Sequence, residues 1–130
     1  KDHLMVTFGD SELSVFGPVV MDSGNENSLA ILFHRENCDI LITGDRSALG
    51  ERLLLRTVQL PDVDILVAGH HGSKNSSCQE LLDAVKPEIV VISVGENSYG
   101  HPAKETLDRF AAIGAAVYRT DQQGTIVFRR

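Results

Sequence analysis

Apolar and polar positions alternate over residues 4–8 and 12–16 around Gly9-Asp10-Ser11, the period of half-buried strands on either side of a turn. The pattern predicts a β-hairpin with Met5 and Thr7 on the same face as Leu13 and Val15. Residues 29–33 and 40–43 are apolar runs flanking the polar stretch 34–39, which predicts a second hairpin. Beyond Asp45 the period lengthens. Ser47 can cap a helix reaching Val58, with Leu49, Leu53 and Leu54 on one stripe, and Pro61 closes that connection. Strand 64–68, helix 78–86 with Leu81, Leu82 and Val85, strand 89–94, helix 102–113 with Leu107, Phe110 and Ala111, and strand 115–119 then follow. Such alternation is the βαβαβ order of a parallel sheet. Pro102 is expected at the first helical position and Gly114 just past the helix end. A last hairpin is expected to turn over residues 121–124 into a strand over 125–128. The fold class is therefore α/β, antiparallel hairpins followed by a βαβαβ run.

At 130 residues the chain reads as a single domain with room for a core that needs no disulfide. A formal net charge of −6 removes the broad basic face of a nucleic-acid-binding module, so any such contact is expected to be local or metal-mediated. Cys38 and Cys78 read as structural thiols. No apolar run approaches the roughly 20 residues that span a bilayer. The start, Lys1-Asp2-His3-Leu4, has neither a signal peptide's apolar stretch nor an initiator Met, and the chain reads as cut from something longer.

Three predicted strand ends carry chemistry in succession: Thr43-Gly44-Asp45, then Gly69-His70-His71-Gly72-Ser73, then Gly95 and the loop to His101. Open α/β sheets place their sites at the carboxyl ends of strands, so these residues are expected to share one site. Imidazole and carboxylate suit Zn²⁺, Mn²⁺ or Fe, and such a site brings hydroxide within reach of neutral pH. Asp45, one of the paired histidines and His101 make three candidate ligands. Side chains alternate faces in extended backbone, so at most one of His70 and His71 is expected to contact the metal directly while strand geometry persists, and the residues leave open which. Ser73, Ser76 and Ser77 can donate to an anion near a helix start, Lys74 adds a local cation, and Asn27 and Ser28 can hydrogen-bond near the site. His3 and His34 read as surface residues and Asp121 as turn chemistry. There is no Gly-rich phosphate loop, no Cys-x-x-Cys pair and no serine nucleophile elbow, and Ser73 is too near the histidines in sequence to be activated by them.

Taken in order, Asn27-Ser28-Leu29, Leu41 to Asp45, Asp64 to Ser73, Ile92 to Gly95, Asn97 to Pro102 and Tyr118 to Asp121 with Gly124 resemble the carboxyl-terminal half of the metallo-β-lactamase-like domain of the ComEC competence proteins. The resemblance covers nearly the whole chain from about residue 13. It implies an αβ/βα sandwich of two sheets with helices outside, and metal-dependent hydrolysis of phosphodiester bonds in the DNA strand that is not imported. It also implies single-stranded DNA as partner, a transmembrane part of the same polypeptide, and a place on the extracytoplasmic face of a bacterial membrane. On that resemblance Asp45 is the bridging carboxylate, His101 the late histidine ligand of the second of two Zn²⁺ or Mn²⁺ ions, and His70 or His71 stands at the site edge, with Asp45 and His71 the catalytic candidates. The superfamily's early His-x-His-x-Asp-His motif is absent from these 130 residues, and Asn25 and Asn27 stand where many relatives carry a mid-domain histidine. The chain is accordingly expected to hold half a ligand set, to be inactive alone, and to self-associate through uncovered sheet surfaces. Two other functions fit the same residues: a metal-free module that binds nucleic acid or protein, and a hydrolase of small phosphoesters or lactones.

Overall fold

The computed structural model describes residues 3–18 and 24–129. Seven strands form one sheet in chain order: β1 (His3–Phe8), β2 (Ser11–Phe16), β3 (Ala30–Arg35), β4 (Cys38–Ile42), β5 (Ile65–Val67), β6 (Ile89–Ile92) and β7 (Ala116–Arg119). The first three pairings are antiparallel and the last three parallel. Helices α1 (Ala48–Thr57), α2 (Gln79–Val85) and α3 (Lys104–Ala112) make the parallel connections. Each crossover steps one strand in the same direction, and right-handed crossovers of that kind put their helices on one face of the sheet.

The register sorts the strand residues accordingly. Leu41, Leu66 and Val90 lie side by side and are buried with Leu54, Leu81, Leu82, Val85 and Phe110 of the helices. On the opposite face Leu4, Val6, Leu13, Val15, Ile31, Phe33, Ile40, Ile42, Val67, Val91 and Tyr118 share one side of the sheet, and no helix connecting the strands covers it. The segment after β7 lies partly across this face, with Phe128 edge-on to Tyr118 at 5.4 Å.

Several expectations change in detail. The first turn holds only two residues, Gly9 and Asp10, so Met5 faces Ser14 while Val6 and Leu4 share the face of Leu13 and Val15. A one-residue difference in loop length inverts which side chains match. The second hairpin turns at Glu36 and Asn37, shorter than the polar stretch suggests, because β3 and β4 extend through Arg35 and Cys38. Ser47 does cap α1, its Oγ accepting from Leu49 N–H at 3.1 Å, but Leu49 itself is 58% exposed and Glu51 occupies the buried stripe beside Leu54. Pro102 lies outside α3, whose N-cap is Ala103. The last hairpin does not form: residues 120–123 make the short helix α4 (Thr120–Gln123), and residues 126–129 are not a strand. Thr120 directs this turn, because its Oγ1 accepts from Val94 N–H at 2.8 Å and donates to Val94 O at 2.7 Å.

Candidate functional site

The adjacent carboxyl ends of β4, β5 and β6 carry three loops that meet at that end of the sheet. Gly44, at φ 64°, turns the chain after β4, and its carbonyl accepts from His70 N–H at 3.0 Å, which joins the Asp45 turn to the histidine loop. Asp45 N–H donates to Ser28 Oγ at 3.2 Å, so the segment before β3 fixes the turn from below. Arg46, fully buried, donates to the carbonyls of Phe16 and Gly17 and ties the same turn to the end of β2.

β5 ends at Val67, three residues before the histidine pair. His70 and His71 both adopt left-handed backbone, at φ 47° and 55°. Alternation of faces therefore does not apply to them, and the strand geometry under which at most one of the two was expected to contact a metal is not present here. His70 and His101 rings lie 5.6 Å apart and His70 and His71 rings 6.2 Å apart. His71 Nδ1–H donates to Ser93 O at 2.7 Å, which leaves the Nε2 lone pair open. His70 is the opposite tautomer, since the Asn25 Nδ2 amide donates to its Nδ1 at 3.3 Å and leaves Nε2 as the N–H. Desolvation, and then the neighbouring His70 and His71, hold His101 below the usual imidazole pKa.

The loop after the histidines is built into the protein rather than free to close on an anion. Ser76 Oγ donates to Arg46 O, Ser77 Oγ accepts from Gly69 N–H, and Ser73 Oγ accepts from Asn75 N–H while its carbonyl accepts from Thr106 Oγ1. The three serines are buried, which removes Ser76 and Ser77 as anion donors and leaves Ser73 as a wall of the adjoining groove. Lys74 is exposed at the groove. Ser28 reaches the site through Asp45, whereas Asn27 is exposed and its N–H closes a turn on Gly24 O; Asn25 instead contacts His70.

No family model matches the chain. ComE operon protein 3 of Bacillus subtilis is 33% identical over 92% of this chain, Recombination protein 2 of Haemophilus influenzae 35% over 83%, and Competence protein ComA of Neisseria gonorrhoeae 40% over 68%. The chain belongs to the ComEC family of competence proteins. It spans only 16%, 14% and 13% of the lengths of those relatives. A CmlA beta-hydroxylase variant superimposes with a TM-score of 0.59 at 12% identity, over 91% of this chain and 31% of that one. The fold of this ComEC-family chain is thus metallo-β-lactamase-like. Among the described residues no helix is long and apolar enough to cross a membrane.

Imidazole nitrogen and carboxylate oxygen are donors that Zn²⁺ or Mn²⁺ accepts. The open Nε2 of His71 and the buried Nδ1 of His101, which has no hydrogen-bond partner, fit such an ion in kind. Among the described residues, however, no three His, Cys, Asp or Glu side chains converge closely enough to hold one. The ComEC segment therefore presents suitable donors without closing a coordination shell around them.

Sequence reasoning missed Glu51, the residue that organises the histidine loop. Both its carboxylate oxygens accept main-chain N–H groups, from Ser77 at 2.7 Å and Cys78 at 2.8 Å, and burial raises its pKa above the ordinary carboxylate value. The available signal is an acid three residues before Leu54 on the buried stripe of an amphipathic helix.

Proposed function

We propose that this chain is the late half of a metal-dependent phosphodiesterase domain that degrades single-stranded DNA during DNA uptake. The observation that carries this reading is the convergence of the Asp45 turn, His70, His71 and His101 at three neighbouring strand ends. Asp45, His71 and His101 would hold the ion, with the remaining ligands supplied from the part of the longer polypeptide that this chain does not span. A divalent ion, when bound, supplies the acidification of water and the polarisation of a phosphoryl oxygen. The chain's own share is orientation. Ser93 O fixes the His71 ring, Ser28 Oγ fixes the Asp45 turn, and His70 presents Nε2–H as a donor to a phosphoryl oxygen. Lys74 at the rim offsets phosphate charge locally, as the acidic balance of the chain requires. A domain acting on incoming DNA belongs on the extracytoplasmic face, beside the transmembrane part of the same polypeptide.

The test is cleavage of fluorescent single-stranded DNA by the full-length polypeptide with and without Mn²⁺, beside Asp45→Ala. Cleavage is expected to require the ion and to fall roughly a hundredfold or more in the variant, as for loss of groups that hold a metal. Cleavage undiminished in Asp45→Ala, or none with any divalent ion, overturns the proposal. The unclosed donor set favours a second reading, a metal-free binding module on the same fold. Its signature is DNA binding that weakens with salt and ignores chelators.

A further inference from the structure

Tyr99 is 82% exposed, more than any other large apolar side chain among the described residues. Its exposure is enforced by a closed loop. Asn97 Oδ1 accepts from Tyr99 N–H at 3.1 Å and His101 N–H at 3.0 Å, while its Nδ2 donates to Gly95 O at 2.9 Å and His101 O at 2.8 Å. All the chemistry of that amide goes into shaping residues 95–101, and the result holds the Tyr99 ring out in water. One side of the ring covers His101, with centroids 6.0 Å apart and planes at 22°, which leaves the other side open.

Beside it runs an open groove of about 310 Å³ lined by Tyr99, His101, Ser73, Lys74, Asn75 and Lys104, among others. Lys104 is paired with Asp108 at 2.6 Å, and Glu105 is the acid in the lining. Lys74 makes no ion pair among the described residues, so it is the groove's available cation. The groove thus offers an exposed aromatic face and one lysine outside any ion pair among the described residues, next to the candidate metal ligand His101. That combination matches one nucleotide, whose base stacks and whose phosphate is anionic, and the volume is at the small end of the range for ligand sites. Bases in a duplex are stacked on one another and cannot cover a protein ring, which selects a single strand.

We infer that Tyr99 and Lys74 form a one-nucleotide subsite that seats a base of single-stranded DNA on the Tyr99 ring and its phosphate on Lys74, beside His101. The choice of DNA as the polymer rests on the phosphodiesterase reading. The stacking platform and the cation stand on the groove itself. Binding without cleavage separates the two, so the test uses the full-length polypeptide carrying Asp45→Ala in metal-free buffer. The probes are a fluorescent oligo-dT of about ten nucleotides and an abasic oligomer of the same length. Tyr99→Ala is expected to weaken oligo-dT binding roughly tenfold and leave the abasic oligomer unchanged. Lys74→Ala is expected to weaken both and to lower the salt slope by about 0.7, the value for one phosphate on a single strand. Irradiation of a 5-bromodeoxyuridine oligonucleotide is expected to place an adduct on Tyr99, mapped by mass spectrometry, even if other parts of the polypeptide dominate affinity. Oligo-dT affinity left unchanged by Tyr99→Ala, together with adducts only elsewhere, overturns the inference, whether or not the parent polypeptide cleaves DNA. Failure of cleavage with the Tyr99 adduct present removes the phosphodiesterase reading alone.

Discussion

Gly72 stands where a side chain has no room. At φ 80° its backbone is left-handed, and a Cβ built there would lie 2.6 Å from Pro102 Cβ and 3.1 Å from Pro102 Cα. Pro102 follows His101, and Gly72 O accepts from Ala103 N–H at 2.9 Å, so this one contact sets how close the third site loop comes to the histidine loop. Gly72→Ala is expected to lose about 2 kcal/mol of stability or more, from the positive φ and the overlap with a rigid ring. Denaturant melts measure the loss, and His101 ring signals in NMR should shift with it. A variant as stable as the parent with unchanged His101 signals would mean that the loops are held apart by something else. Cys78 shows the opposite use of a buried position: desolvation foremost, then Glu51, pushes its thiol pKa up to about 12, so it serves as an inert helix-start residue rather than a nucleophile.

Among the elements, α1 does more than cover the sheet. Its Glu51 reaches the far side of the histidine loop, while α3 holds the same loop through Arg109, which donates to the carbonyls of Ser76 and Ser77 at 2.8 and 3.0 Å. Glu51→Gln keeps the volume but leaves one oxygen to serve two N–H groups and turns an amide donor toward them. That change is expected to cost roughly 2 kcal/mol and to speed hydrogen exchange at Ser77 and Cys78. Slow exchange retained at both amides would show that the carboxylate is dispensable. The elements themselves were legible in the sequence wherever period and punctuation agree: Ser47 starts α1, Gly114 follows α3 at φ 75°, and Leu81, Leu82 and Val85 are buried as their spacing indicates. Alternation could not show the two-residue turn at Gly9-Asp10, because both registers leave an apolar face. The strand over 125–128 failed for a tertiary reason, since Thr120 bonds to Val94 and turns the chain into α4. For the site, residue type and strand-end position marked Asp45, His70, His71 and His101. The left-handed loop that orients both His70 and His71, and the buried Glu51 behind it, arise from long-range hydrogen bonds that no local pattern encodes.

At the scale of the whole molecule, one face of the sheet carries helices and the other is lined by apolar side chains that the segment after β7 covers only in part. β1 is the edge on one side, and its Leu4, Met5, Val6 and Phe8 are all exposed. A long edge strand with exposed apolar side chains is a template for pairing, and an apolar face this wide is not stable in water by itself. The 130-residue chain in isolation is therefore expected to self-associate, seen as dimers or larger species by light scattering. The double substitution Leu4→Lys, Val6→Glu on the edge should shift it toward monomer. A monodisperse monomer of the unaltered chain would contradict this. The strand order has a separate consequence for how such a molecule is made. Every strand pairs only with the strand before and after it in the chain, so the sheet can extend from one edge as each new segment leaves the ribosome, without waiting for a distant partner. Segments of low loop-closure cost would then come together first, and the three candidate-site loops would meet late, once β6 has been laid down and residues 93–101 can fold back over the two loops already formed.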